Sequence, residues 1–179
     1  ASVRATGFRA VRSTFTATLS AGQAEDTRSV ALRVSGENLQ LDECSLSASG
    51  GHARGLEGAT GAGNHGARIL LSDVDATGQH SAVAVALANA NGVVVSGAQL
   101  SATGDPAATP VLALSALQAT VRNSTVTARG TIDATGIALG ASSTASVVER
   151  TFIDVFSEAN ATACIANGPF ETKSAAYLA

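Results

Sequence analysis

The chain has 179 residues, 37 of them Ala and 18 Gly, with a net charge of −3 and only 14% charged side chains. A hydrophobic share of 45% excludes disorder driven by charge excess, and five Phe with one Tyr cannot build a thick aromatic core. Ten Arg and one Lys, with no run of like charge, give no basis for nucleic-acid binding through phosphates, and apolar stretches such as 83–90 and 111–119 are too short to span a bilayer as a helix.

Along the chain one short pattern returns. Its first copy is Ser13-Thr-Phe15-Thr-Ala17. Then follow Ser45-Leu-Ser-Ala-Ser-Gly50, Asp73-Val-Asp-Ala-Thr-Gly78, Gln99-Leu-Ser-Ala-Thr-Gly104, Thr125-Val-Thr-Ala-Arg-Gly130 and, decayed, Phe152-Ile-Asp-Val-Phe-Ser157. The central residues Leu46, Val74, Leu100, Val126 and Ile153 are spaced by 28, 26, 26 and 27 residues, and Phe15 lies 31 before Leu46. Five positions ahead of each stands Leu41, Ile69, Val95, Val121 or Val148. Two ahead stands a small residue, Ser13, Cys44, Ser72, Ala98, Ser124 or Thr151. Two after stands Ala48, Ala76, Ala102, Ala128 or Val155. The residues between are mostly polar, and alternation of period two marks a strand with one buried face.

Past each turn comes a second apolar pair. These are Val30 and Leu32, Val83 and Val85, and Ile137 and Leu139, with Leu56, Val111 and Cys164 at equivalent places. A third strand is expected in the stretch before Leu41, Ile69 and Val95. A repeat of this length means a solenoid, propeller or array. The runs are short and broken by Gly, Asn and Ser, which argues against helices, and blades of about 40 residues are too long for a propeller. The reading is therefore all-β: a right-handed, single-stranded parallel β-helix of six to seven rungs of about 26 residues, with 1–179 as one domain. Small Ala and Ser columns turn the corners. Gly50, Gly78, Gly104 and Gly130 are expected at positive φ one step past the strand. The aromatic residues sit only at the ends, and Phe152, Phe156, Phe170 and Tyr177 are expected to plug the C-terminal end of the core.

The rung pattern resembles the pertactin-type passenger of autotransporters. The likeness is carried by Ser124-Thr-Val-Thr-Ala-Arg-Gly130 with Thr135-Gly-Ile-Ala-Leu139, repeated by Ser45-Leu-Ser-Ala-Ser-Gly50 with Arg54-Gly-Leu56, over about residues 8–166. The resemblance implies a Gram-negative cell-surface or secreted protein exported through the outer-membrane barrel of its own parent. It implies an adhesin or virulence-associated scaffold that meets a host-cell receptor or glycan. With no initiator Met and no signal peptide, the chain reads as a mature or excised piece of such a passenger. The other reading is a carbohydrate-active β-helix, such as a polysaccharide lyase or phage tailspike fragment.

Few side chains offer chemistry. Asp73 and Asp75 flank Val74 and point outward together, but the columns beside them hold Ser45 and Ser47 on one side and Gln99 and Ser101 on the other, so no carboxylate ladder continues. They read as a solvated strand face. His52 and His80 each follow a rung Gly by two and are expected to stack one rung apart; with His65 they make a three-imidazole candidate for zinc, set against exposed turn histidines. Cys44 belongs to the small corner column and Cys164 to another strand four turns on, about 19 Å away along the axis against the roughly 7 Å a disulfide spans. Two free thiols follow. Asn123-Ser-Thr125 and Asn160-Ala-Thr162 match the glycosylation acceptor by chance, and the Thr pairs Thr14/Thr16 and Thr125/Thr127 fall on non-consecutive rungs, so no ice-binding ladder forms. No catalytic, cofactor-binding or metal-ligating residue is assigned, and no cofactor is expected. Binding is placed in the turns 51–55, 58–66 and 104–110.

Overall fold

The computed structural model describes residues 1–19, 27–58, 65–87, 90–104, 111–116, 118–139, 146–166, 170–173 and 177–178. They form a parallel β-solenoid of about five turns of ~27 residues, with no helix among them. The sequence led us to expect six to seven. Seven levels of strand are present, but the outer ones are stubs, three residues in Ser2–Arg4 and Arg9–Val11 and two in Tyr177–Leu178, so fewer turns are complete.

Three faces wrap the core. The first is a seven-stranded sheet of Arg9–Val11, Gln40–Asp42, Arg68–Leu70, Val93–Ser96, Ala119–Arg122, Ser146–Glu149 and Phe170–Lys173. It is the third strand expected from sequence, centred on Leu41, Ile69 and Val95. The second face stacks Thr14–Thr18, 45–50, 73–78, Gln99–Gly104, Thr125–Gly130, Phe152–Ser157 and Tyr177–Leu178. The third stacks Ser2–Arg4, Arg28–Ser35, 52–58, 81–86, Val111–Ala116, Asp133–Leu139 and Asn160–Ala166. Two 14-residue strands, Ser45–Gly58 and Asp73–Ala86, run round the edge between the second and third faces and join them into one 12-stranded sheet. Residues 51–55, expected as a binding turn, are thus strand. The edge is turned by a register shift between Gly50 and His52 rather than by an excursion of the chain.

The repeat read from sequence is the register of the second face. Phe15, Leu46, Val74, Leu100, Val126, Ile153 and Leu178 pair in a single file, and Ala17, Ala48, Ala76, Ala102, Ala128 and Val155 in the next. Leu46, Val74, Leu100, Val126 and Ile153 are at most 1% exposed. From the first face Leu41, Ile69, Val95, Val121 and Val148 pack against them, equally buried. Stacked identical positions suit such a core, because each aliphatic side chain meets its like one rung above and below at crystal-like density.

On the third face the register differs from the sequence reading. Leu32, Leu56, Val85, Leu114, Ile137 and Cys164 share one file. Ile137 therefore pairs with the level of Val85, not Val83, and Val111 stands opposite Ala134. Counted from the rung residue, Val85, Ile137 and Cys164 each stand seven on from Gly78, Gly130 and Ser157, while Leu56 stands six on from Gly50 and Leu114 ten on from Gly104, so equal counting holds on three rungs and slips by one and by three on the other two.

The corner between the first and second faces explains the small polar column. Arg12, Glu43, Leu71, Gly97, Asn123 and Arg150 hold it at φ between 45° and 64°. Five of these six carry a side chain that a left-handed conformation disfavours by about 1–2 kcal/mol. The corner compensates with hydrogen bonds. The amides of Arg12, Glu43, Leu71, Gly97 and Asn123 each donate to the carbonyl one rung on, at 2.9–3.2 Å. The next residue then donates back across the corner: Ser13 Oγ to the Val11 carbonyl at 3.0 Å, Ser72 to Leu70 at 2.7 Å, Ser124 to Arg122 at 2.7 Å and Thr151 Oγ1 to Glu149 at 2.9 Å. Ser72 and Ser124 also accept from the amides of Cys44 and Ala98, so the buried hydroxyls are spent.

Positive φ therefore sits in that corner, and at Gly7, Gly36, Asn38, Gly66 and Gly92 ahead of the first face, rather than at the rung glycines where it was expected. Of Gly50, Gly78, Gly104 and Gly130, only Gly50 has it, at 153°. Gly78 is required by close approach instead: a Cβ there would lie 1.9 Å from the Ser81 carbonyl oxygen. The C-terminal plug is also corrected. Phe152 and Phe156 are 42% and 60% exposed on the outer side of their strand, because the inward positions between and beside them are Ile153 and Val155. The side chains of Phe170 and Tyr177 lie outside the described residues. At the other end Phe8 and Phe15 do pack on the core.

Candidate functional site

The second face turns three outward columns to solvent. They run Ser45, Asp73, Gln99, Thr125, Phe152; then Ser47, Asp75, Ser101, Thr127, Asp154; then Ser49, Thr77, Thr103, Arg129, Phe156. Pleating alternates them with the buried aliphatic and Ala files. Beside the third column runs a file of rung glycines, Gly50 against Gly78 and Gly78 against Gly104. A trough lies beside these two files. There the structure has a depression of about 370 Å³ lined by Ser49, Thr77, Thr103 and Gln79, floored by Gly50 and Gly78 and closed by Leu19. No lining residue is ionisable, and among the described residues none of these hydroxyls or the amide has a protein hydrogen-bond partner. At the far end of the column the Arg129 guanidinium donates to Asp154, which holds the Asp154 carboxyl below its ordinary range.

Asp73 and Asp75 stand where the sequence placed them, on the outer face between Ser45 and Gln99 and between Ser47 and Ser101. His52 and His80 come together, ring centroids 5.5 Å apart and tilted by 41°, but His52 pairs in register with Ser81, whose Oγ is 2.8 Å from Nδ1. His65 lies in a different turn, beside Gly66. Among the described residues no three His, Cys, Asp or Glu side chains form a metal-holding group. Of the turns expected to bind, residues 59–64 and 105–110 lie outside the described residues.

The sequence reading missed one cluster. Glu57, 5% exposed, is gripped by three guanidinium groups. Arg28 and Arg54 each donate to Oε1 at 2.9 Å, and Arg33 donates to Oε2 through Nε at 2.8 Å and through a second nitrogen. Burial lowers the Arg54 pKa, opposed by Glu57 and abetted by the neighbouring Arg28 and Arg33. The only local signal is the spacing of Arg54 and Glu57. Arg33 meets Glu57 because Leu32 pairs with Leu56, and that register is invisible until the third face is built.

Both cysteines are free, Cys44 buried at the corner and Cys164 half-buried on the third face. Burial pushes the Cys164 thiol up to about 11. It is therefore neutral at pH 7–8, and the thiolate is the reactive form. Native protein treated with an aromatic disulfide reagent is expected to react slowly at pH 8, with the Cys164 rate rising toward pH 11 and Cys44 labelled only on unfolding. The folded thiol pKa lies above the unfolded value near 9, so this group's stabilisation is complete below pH 9 and is lost as pH rises from 9 to 11. Fast labelling of Cys164 at pH 7 would contradict its burial.

Fold and face together define a parallel β-solenoid with a small-residue polar surface. Comparisons of the chain with protein-family models, with curated proteins and with solved structures find no match.

Proposed function

We propose that the chain is part of a pertactin-like autotransporter passenger. In this reading it is a rigid rod on the Gram-negative cell surface, acting as an adhesin or virulence-associated scaffold toward a host-cell receptor or glycan. The observation that supports it is the unbroken register of the second face. From Thr14–Thr18 to Tyr177–Leu178 every neighbouring pair of strands on that face is parallel and in file. A stack joined by backbone ladders is stiff along its axis, and stiffness is what a spacer that holds a binding surface away from a membrane needs. The outward columns are mostly Ser, Thr, Asp and Gln, with Phe152, Arg129 and Phe156 toward the C-terminal end, so the face is polar and sparsely charged.

The test is the gene and the cell. The coding sequence downstream of Ala179 is expected to encode an amphipathic, strand-rich membrane barrel, and the full gene expressed in a Gram-negative host should expose this segment to antibody and protease on intact cells. A gene without a barrel, or a product sealed inside the cell, overturns the proposal. The second reading, a carbohydrate-active β-helix, draws on the hydroxyl-lined trough and is favoured if the protein shortens a polysaccharide rather than only binding it.

A further inference from the structure

We propose that the trough beside the Ser49–Thr77–Thr103 column is a binding site for a neutral linear polysaccharide lying along the solenoid axis, with the exposed ring of Phe156 as a stacking platform at one end. The inference does not rest on the passenger assignment, since the site is built from the second face alone.

Four observations carry it. First, the trough is a depression of about 370 Å³ lined by Ser49, Thr77, Thr103 and Gln79, with Gly50 and Gly78 pairing in file along it. Second, its polar groups repeat. Ser49, Thr77 and Thr103 occupy one register position on three successive rungs, each advancing about 4.8 Å. That step is close to the length of one pyranose, so successive sugars would each meet one hydroxyl, with Gln79 also in the lining. These groups have no protein partner among the described residues, which leaves donors and acceptors free for sugar hydroxyls.

Third, the same column continues through Arg129 to Phe156, 60% exposed on an outer face where a large apolar side chain gains nothing from the core. The ring stands two rungs past Thr103, beyond Arg129 and outside the lining of the depression, and offers the apolar face on which a pyranose ring packs. Fourth, the charge pattern selects against polyanions. The lining has no cation, Arg129 is neutralised by Asp154, and the adjoining columns present Asp73 and Asp75. An extended peptide is disfavoured as well: the strands beneath the trough are already paired on both sides, so no free backbone edge is offered for strand addition.

The experiment is binding of the intact chain to neutral linear hexasaccharides (β-1,4-glucan, β-1,3-glucan, chitin and mannan series) by NMR titration and calorimetry, with heparin hexasaccharide as the anionic control. At least one neutral series is expected to bind saturably, with shifts confined to 49–50, 77–79, 103 and 156, and heparin is expected not to compete. Phe156→Ala should weaken binding at least tenfold and Thr103→Val several-fold. Both sites are exposed, and unchanged circular dichroism and melting temperature will show that the variants fold. Binding to none of the neutral series, preference for heparin, or affinity indifferent to both substitutions would overturn the proposal. Each of these leaves the cell-surface reading standing, because that reading is decided by the downstream gene and by exposure on cells.

Discussion

Leu100→Ala is expected to lower the unfolding free energy by about 3–4 kcal/mol, inside the range for large-to-small changes at fully buried sites. Leu100 is 1% exposed and pairs in file with Val74 on one side and Val126 on the other. Both neighbours are β-branched, stiff at χ1, and fixed by parallel ladders to their own rungs, so the cavity has little chance to close. A solenoid draws its stability from contacts between adjacent repeats, and a lesion in mid-stack weakens two of them at once. Phe15→Ala removes a larger side chain but sits only partly buried, with one neighbour in file, Leu46, and is expected to cost less. Urea titration followed by far-ultraviolet circular dichroism measures both. A loss below about 1 kcal/mol for Leu100→Ala would remove Leu100 from a shared core, since buried deletions in intact cores cost several times that.

Glu57→Ala is expected to destabilise the protein by about 3 kcal/mol, at the low end for removing one partner of a buried ion pair. The carboxylate accepts four hydrogen bonds from Arg28, Arg33 and Arg54 and is itself 5% exposed. Without it three guanidinium groups face one another. The effect stays at the low end because those groups are 47%, 46% and 30% exposed and water takes up part of their charge. For the same reason Arg28→Ala is expected to cost no more than about 1 kcal/mol. Added salt should recover part of the Glu57→Ala loss by screening the repulsion, and should do little for the wild type. Equal effects of Glu57→Ala and Arg28→Ala in thermal unfolding would mean that the cluster does not hold the third face.

Much of the trough was already present in the sequence in plain sight. Ser49, Thr77 and Thr103, which line it, and Arg129 and Phe156, which continue their column beyond it, are the residues just before the rung glycine or its substitute, and they recur with the repeat. A polar residue on the outer side of a strand is the ordinary case, and only the stacked rungs bring these side chains into one row beside a depression. The Glu57 cluster had no comparable trace. Its partners come from residues 28, 33 and 54, and two of the three contacts cross a turn of the solenoid.

What the amino-acid order determined by itself was everything set within a strand or repeated at one period: the inward file from Leu46 to Ile153, the Ala file beside it, the Leu41 to Val148 file of the first face and the small residues of the corner. Alternation is a property of the pleat, and residues one turn apart must pair when the turns between them are equal in length. The tertiary structure decided what depends on turns of unequal length and on backbone conformation that no residue type announces. It placed Leu114 on the level of Val85 and Ile137, made 51–55 a continuous strand, and put a left-handed corner on Arg12, Glu43, Leu71, Asn123 and Arg150. Those corner residues share no side-chain chemistry. They share a position where hydrogen bonds to the next rung outweigh the local preference against positive φ, and that balance exists only once the rungs are stacked.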